Sequence, residues 1–112
     1  MKKIFYYVAT ENFITAEQFR GEYECFGDGM NYREYYKWQR DDGCLQTVDE
    51  HFKWMVALVK ESIENELFTD GNTCHADLDI LRMEIKNYIE IAELNETEQR
   101  TFEQKISRWW KS

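Results

Sequence analysis

Cys25, Cys44, Cys74, His51 and His75 are the side chains of this chain that could ligate a soft metal, and Cys74 and His51 are those that could act as nucleophile or base. Zinc sites place two ligands on one short loop, as C-x2-C or H-x3-H, and neither spacing occurs here. The adjacent pair Cys74-His75 is a poor substitute, so neither a metal nor a cofactor is expected. Three cysteines at wide spacings, an odd number, are the opposite of a disulfide framework. They read as reduced thiols, which commonly behave as small buried hydrophobes.

Cys74 stands at the expected start of a helix, where free N–H groups and the dipole favour a thiolate, and His75 is its neighbour. Asp70, Asp77 and Asp79 flank the same turn and favour the neutral thiol. A thiol-dependent enzyme or redox protein centred on Cys74 is therefore the alternative reading, because nucleophile, base and orienting group are not visible together. His51 falls on a helix flank with Trp54 and Leu58, beside a buried stripe, and reads as a packing histidine. Asp28-Gly29 and Asp70-x-Asn72 lack the glycine and terminal glutamate positions of an EF-hand, and Gly27-Asp28-Gly29 is no phosphate loop. No catalytic residue is assigned.

Tyr32-Arg33-Glu34-Tyr35-Tyr36-Lys37-Trp38-Gln39-Arg40 interleaves cations with aromatics in the manner of a single-strand stacking platform. Such a platform also needs a positive groove, so a half-buried strand with snorkelling cations is the preferred reading. Arg108-Trp109-Trp110-Lys111 has the composition of a membrane-interface anchor but too few bases to hold one. Core packing or a protein contact suits Trp109 and Trp110 better, since tryptophan is a frequent interface hot spot.

The net charge of −8 is unevenly spread. Residues 1–60 hold 10 acids and 8 bases, residues 61–98 hold 11 acids against Arg82 and Lys86 only, and residues 99–112 hold one acid and four bases. The net −9 block repels phosphate and attracts basic protein, so a protein partner is expected and direct nucleic-acid binding is not. Asp79, Arg82, Lys86, Glu90 and Glu93 largely neutralise one another along one helical strip. Glu61, Glu64 and Glu66 do not. They stand towards a helix C-terminus, where the dipole disfavours them, and with Asp70 and Asp77 they form the candidate partner-binding set.

The elements that must position these residues follow from hydrophobic period. Lys3 to Ala9 reads as a short buried strand. Thr15-Ala16-Glu17-Gln18 has capping-box form and opens a helix, weakened by Gly21, that ends near Gly27. Tyr32 to Gln39 alternates as a second strand, which would complete a β-α-β unit with a right-handed crossover. Thr47-Val48-Asp49-Glu50 is a second capping box, opening a helix over 48–68 with a stripe of Val48, Phe52, Met55, Val56, Val59, Ile63 and Leu67. After a break at Thr69 to Asn72, a helix over 74–94 carries two apolar faces, so burial on both sides is expected. Asn95 caps a last helix with Phe102, Ile106, Trp109 and Trp110 on its apolar edge.

These readings describe one domain, 1–112, of α+β class and predominantly helical: a small N-terminal β-α-β piece packed on three C-terminal helices. It would be all-α if 32–39 were helical. Met1-Lys2-Lys3 resembles a signal n-region without a cleavage pattern, and the apolar runs Ile4–Ala9 and Trp54–Val59 are far too short to span a bilayer, so a cytoplasmic location is expected. The expected function is a non-enzymatic protein-binding module, an inhibitor docking on a basic partner such as a nucleic-acid-binding protein or nuclease. Phage anti-CRISPR proteins, DNA mimics and nuclease-toxin immunity proteins share this physical profile by class, not by motif. A third reading is a structural or assembly protein that self-associates through Trp109 and Trp110.

Overall fold

The computed structural model describes residues 3–65 and 72–112, with side chains for 3–62 and 78–112. The elements in order are β1 (Ile4–Tyr7), β2 (Asn12–Thr15), α1 (Ala16–Phe26), α2 (Tyr32–Asp41), β3 (Leu45–Thr47), α3 (Val48–Asn65), α4 (Asn72–Ala92) and α5 (Glu96–Lys111). The fold is α+β and predominantly helical. The chain divides into two compact units, Met1–Val48 and Asp49–Ser112. Among the described residues no helix is long and apolar enough to cross a membrane.

Unit 1 is a three-stranded antiparallel sheet of order β2-β1-β3, with Phe5 opposite Ile14 on one side and Thr47 on the other. All four β1 residues are buried, which is why the expected strand shows no alternation. Its Phe5 and Tyr7 face a core with Phe19, Tyr35 and Leu45. Phe19 is the hub: its ring lies 5.4 Å from Tyr35 and between 6.1 and 6.5 Å from Phe5, Tyr7, Tyr32 and Tyr36, mostly in edge or tilted geometry. Helix α1 begins as expected, with the Thr15 hydroxyl accepting the Gln18 N–H and the Gln18 side chain accepting the Thr15 N–H, and Gly27 closes it.

Two expectations for this unit are corrected. Tyr32 to Gln39 is helix α2, not a strand, because Tyr32, Tyr35, Tyr36 and Gln39 also stand at i, i+3, i+4 and i+7, and that stripe is the one that packs. Asn31 starts the helix: its Oδ1 accepts the Glu34 N–H at 2.9 Å and its Nδ2 donates to Glu34 Oε1 at 3.1 Å. The crossover unit is accordingly replaced by antiparallel pairing. The sheet survives because β2 and β3, four and three residues long, come from segments too short for their period to register.

Unit 2 comprises α3, α4 and α5. The break expected at Thr69 to Asn72, and Ile63 and Leu67 of the α3 stripe, lie outside the described residues or side chains. Asn95 caps α5 in a reciprocal box with Glu98. At the end of α4 the Leu94 N–H donates to the Ile89 carbonyl and the Glu93 N–H to that of Glu90, both at 3.2 Å. These are the two bonds of a Schellman ending, and they put Glu93 at the C′ position with φ 54°.

Two predictions follow from backbone and burial. Glu93→Gly should be more stable than Glu93→Ala by about 1 kcal/mol in denaturant unfolding, whereas at Glu90, inside the helix, Gly should be less stable than Ala by about 1 kcal/mol. Equal effects at both positions would remove the backbone explanation. In unit 1, burial and then a hydrogen bond with Tyr35 push the Tyr7 phenol up to about 12 from its ordinary 10.0. A phenol raised on folding stabilises fully below its unfolded value and loses that contribution as pH rises through the folded one. Stability should therefore fall between pH 10 and pH 12, and Tyr7→Phe should flatten that fall when unfolding is followed across the range.

Candidate functional site

The three helices of unit 2 are pinned by rings. Phe52 of α3 lies 5.9 Å from Tyr88 of α4 and 5.1 Å from Phe102 of α5, and Tyr88 and Phe102 are 4.8 Å apart. Burial first, then the carboxylates of Asp49 and Glu98, raise the Tyr88 phenol above its usual range. Asp49 also meets Lys105 Nζ at 3.3 Å, tying the first turn of α3 to α5.

Register between α3 and α4 is set by His51, which is 2% exposed and whose Nε2 stands 2.5 Å from Glu84 Oε2. The sequence placed His51 on a flank; the structure buries it there, its ring against Phe52 and Trp54. Asp49 meets Lys105 and Lys60 meets Ser112, so α3 runs parallel to α5, whereas Tyr88 meets Phe102 and Leu81 lines a groove with Trp110, so α4 runs antiparallel to α5 and hence to α3. The residue one turn after His51 and the residue one turn before Glu84 then advance in the same direction. This brings Trp54 and Ile80 to one side of the pair, 58% and 43% exposed, with Met83 at 56%. Glu61 is exposed two turns beyond Trp54 on the same helix face, and Asp79 adjoins Ile80. The arrangement leaves large apolar side chains in water with carboxylates at their edge, the composition that protein-contact surfaces have.

The exposure of Ile80 and Met83 corrects the expectation that both apolar faces of α4 are buried. Leu81, Tyr88 and Ala92 form its buried stripe. Ile91 and Leu94, on the other expected face, are only half-buried.

Trp109 and Trp110 do not form one patch, because consecutive helical residues point about 100° apart. Trp109 turns to α3, with Lys53 Nζ 5.8 Å from its ring centroid and Val56, Ala57 and Lys60 beside it. Trp110, 36% exposed, turns to α4 and overhangs a groove of about 280 Å³ floored by Leu78, Leu81, Ile85 and Ile106.

Of the acidic candidates, Glu61 is described in full. The side chains of Glu64 and Asp77, and Glu66 and Asp70 entirely, lie outside what is described. Cys74 falls in the first turn of α4, as its sequence position implied, but its side chain and that of His75 are also outside. Cys25 is exposed and Cys44 half-buried. Among the described residues no three of His, Cys, Asp and Glu gather as metal ligands. The stacking platform dissolves with the strand: Tyr35 is buried and Trp38 points outward. Sequence reasoning missed Glu84, whose signal was a carboxylate between the apolar Met83 and Ile85, and the cations of α5 as a surface.

Glu84→Ala should lower the stability of unit 2 by about 1–3 kcal/mol in thermal or denaturant unfolding, because it strips a partner from a buried imidazole. Glu84→Gln, which keeps a hydrogen-bonding side chain of the same length, should cost distinctly less. Equal losses would mean that side-chain volume, not the bond to His51, fixes the helix pair.

No family model, curated protein or solved structure matches this chain.

Proposed function

We propose that this chain is a small non-enzymatic protein-binding module, an inhibitor that docks the α3–α4 face of unit 2 on a basic partner such as a nuclease or another nucleic-acid-binding protein. Among inhibitors, this is the physical profile of phage anti-CRISPR proteins, DNA mimics and nuclease-toxin immunity proteins. The supporting observation is the exposure of Trp54, Ile80 and Met83, which helical geometry places on one side of the α3–α4 pair, with Glu61 and Asp79 exposed on the same two helices. A tryptophan in that setting is a candidate hot spot, worth roughly 2 kcal/mol or more once a partner covers it. The net −9 block at 61–98 supplies the long-range part, speeding encounter with a basic surface more than it tightens the final complex.

The division of labour predicts different kinetic signatures. With the partner captured from source cells and then purified, Trp54→Ala should weaken binding by about 30-fold, mainly through faster dissociation. Neutralising Glu61, Glu64 and Glu66 to Gln should slow association by about tenfold and flatten its dependence on salt, with little change in dissociation. Binding that ignores salt, the triple change and Trp54→Ala would overturn the proposal.

A further inference from the structure

The groove under Trp110 has the opposite character from the α3–α4 face. An antiparallel helix hairpin has two crevices. In α4–α5 one of them is filled by α3, whose Phe52 contacts Tyr88 and Phe102. The groove lies on the other. Leu78, Leu81 and Ile85 stand at i, i+3 and i+7 along α4, and Ile106 and Trp110 at i and i+4 along α5, so the walls present helical stripes about two turns and one turn long. Ile80 and Met83 are half a turn away round α4, so the two surfaces are distinct.

The rim is basic on both sides. Arg82 borders the α4 wall and Lys111 the α5 wall. Arg108 and Arg100 continue the α5 bank one and three turns away, with Gln104 and Ser107 between them and Glu103 beside them. Arg82 approaches Asp79 only at 4.0 Å with both side chains largely exposed, a weak, solvent-screened contact easily exchanged for a better partner. Among the described residues Arg108 and Lys111 make no ion pair. The net negative charge of the chain does not cancel this rim at contact range, because exposed charges more than about 8–10 Å apart are largely screened at physiological salt.

We infer that the α4–α5 groove docks an acidic amphipathic helix of a partner protein, apolar side chains at i, i+3 or i+4 entering between Leu81, Ile106 and Trp110 while flanking carboxylates meet Arg82 and Lys111. A cavity of about 280 Å³ lies just below the range of small-molecule sites, roughly 300–1,000 Å³, and suits side chains delivered by a helix rather than a whole ligand. The incoming helix completes a four-helix arrangement by filling the open crevice. This inference goes beyond the proposed inhibitor role and does not depend on it, since its surface and its charge preference are different.

The test uses the full chain and two fluorescein-labelled synthetic helical peptides with the same Leu and Ile anchors, one flanked by Glu and the other by Lys, read by fluorescence anisotropy. The Glu peptide should bind saturably and at least about tenfold more tightly than the Lys peptide. Arg82→Glu with Lys111→Glu, both surface changes that leave the core intact, should reverse that preference, whereas Lys53→Glu, on the α3 side of unit 2, should leave it unchanged. Equal binding of the two peptides, no binding of either, or a preference untouched by the double reversal would overturn the inference. So would sedimentation showing a dimer of the chain that the double reversal dissociates, because the occupant would then be a second copy.

Discussion

Phe52, Tyr88 and Phe102 meet ring to ring at the centre of unit 2, and the surfaces that unit offers depend on that contact. One ring comes from each helix, so the triad determines which side of α4 is taken up by α3 and α5 and which is left in water. His51 and Glu84 then choose the register. A slide by one turn would leave a buried imidazole and a carboxylate apart, at a cost far greater than that of rearranging surface side chains. The exposure of Trp54, Ile80 and Met83 and the opening of the groove below Trp110 are both downstream of these two contacts.

Unit 1 solves a different problem with the same material. Its core is nearly all aromatic, with Phe19 surrounded by Phe5, Tyr7, Tyr32, Tyr35 and Tyr36. Rings offer much area per residue, which lets a unit of fewer than fifty residues bury a core at all. The tyrosines add a constraint that phenylalanines would not, because each buried hydroxyl needs a partner. Tyr7 finds Tyr35; nearer the surface, the Tyr23 hydroxyl donates to the Met30 carbonyl at 2.8 Å across the α1–α2 turn.

Charge is organised by surface rather than by segment. Counted along the chain, the acids gather in 61–98 and the bases in the last fourteen residues. In unit 2, the exposed strip of α4 carries Asp79, Arg82 and Glu90 together, and its Arg82 edge borders the same groove as Lys111 of α5. A helix with mixed charges does not average them out. Its positions turn by about 100° per residue, so one edge of a mixed strip can border a groove as a cation while the other edge stays acidic.

Capping and stripe were legible in the residues themselves: Thr15 with Gln18, Asn95 with Glu98, and the Phe52, Met55, Val56, Val59 line of α3 all depend on neighbours within one or two turns. The class of fold and the starts of α1, α3 and α5 followed from such local patterns, and the unequal distribution of charge from simple position along the chain. Tyr32 to Gln39 shows the limit, since its pattern satisfies periods of 2 and 3.6 together and only the position of Phe19 selects the helix. The site was legible to the same extent and no further. Glu61 and Trp110 could be singled out by type, but the company each keeps was set by contacts between helices, among residues far apart in sequence. His51 and Glu84 are 33 residues apart. Such pairs leave no periodic trace, because their energy is realised only when two helices, each already formed by its own local pattern, are brought side by side.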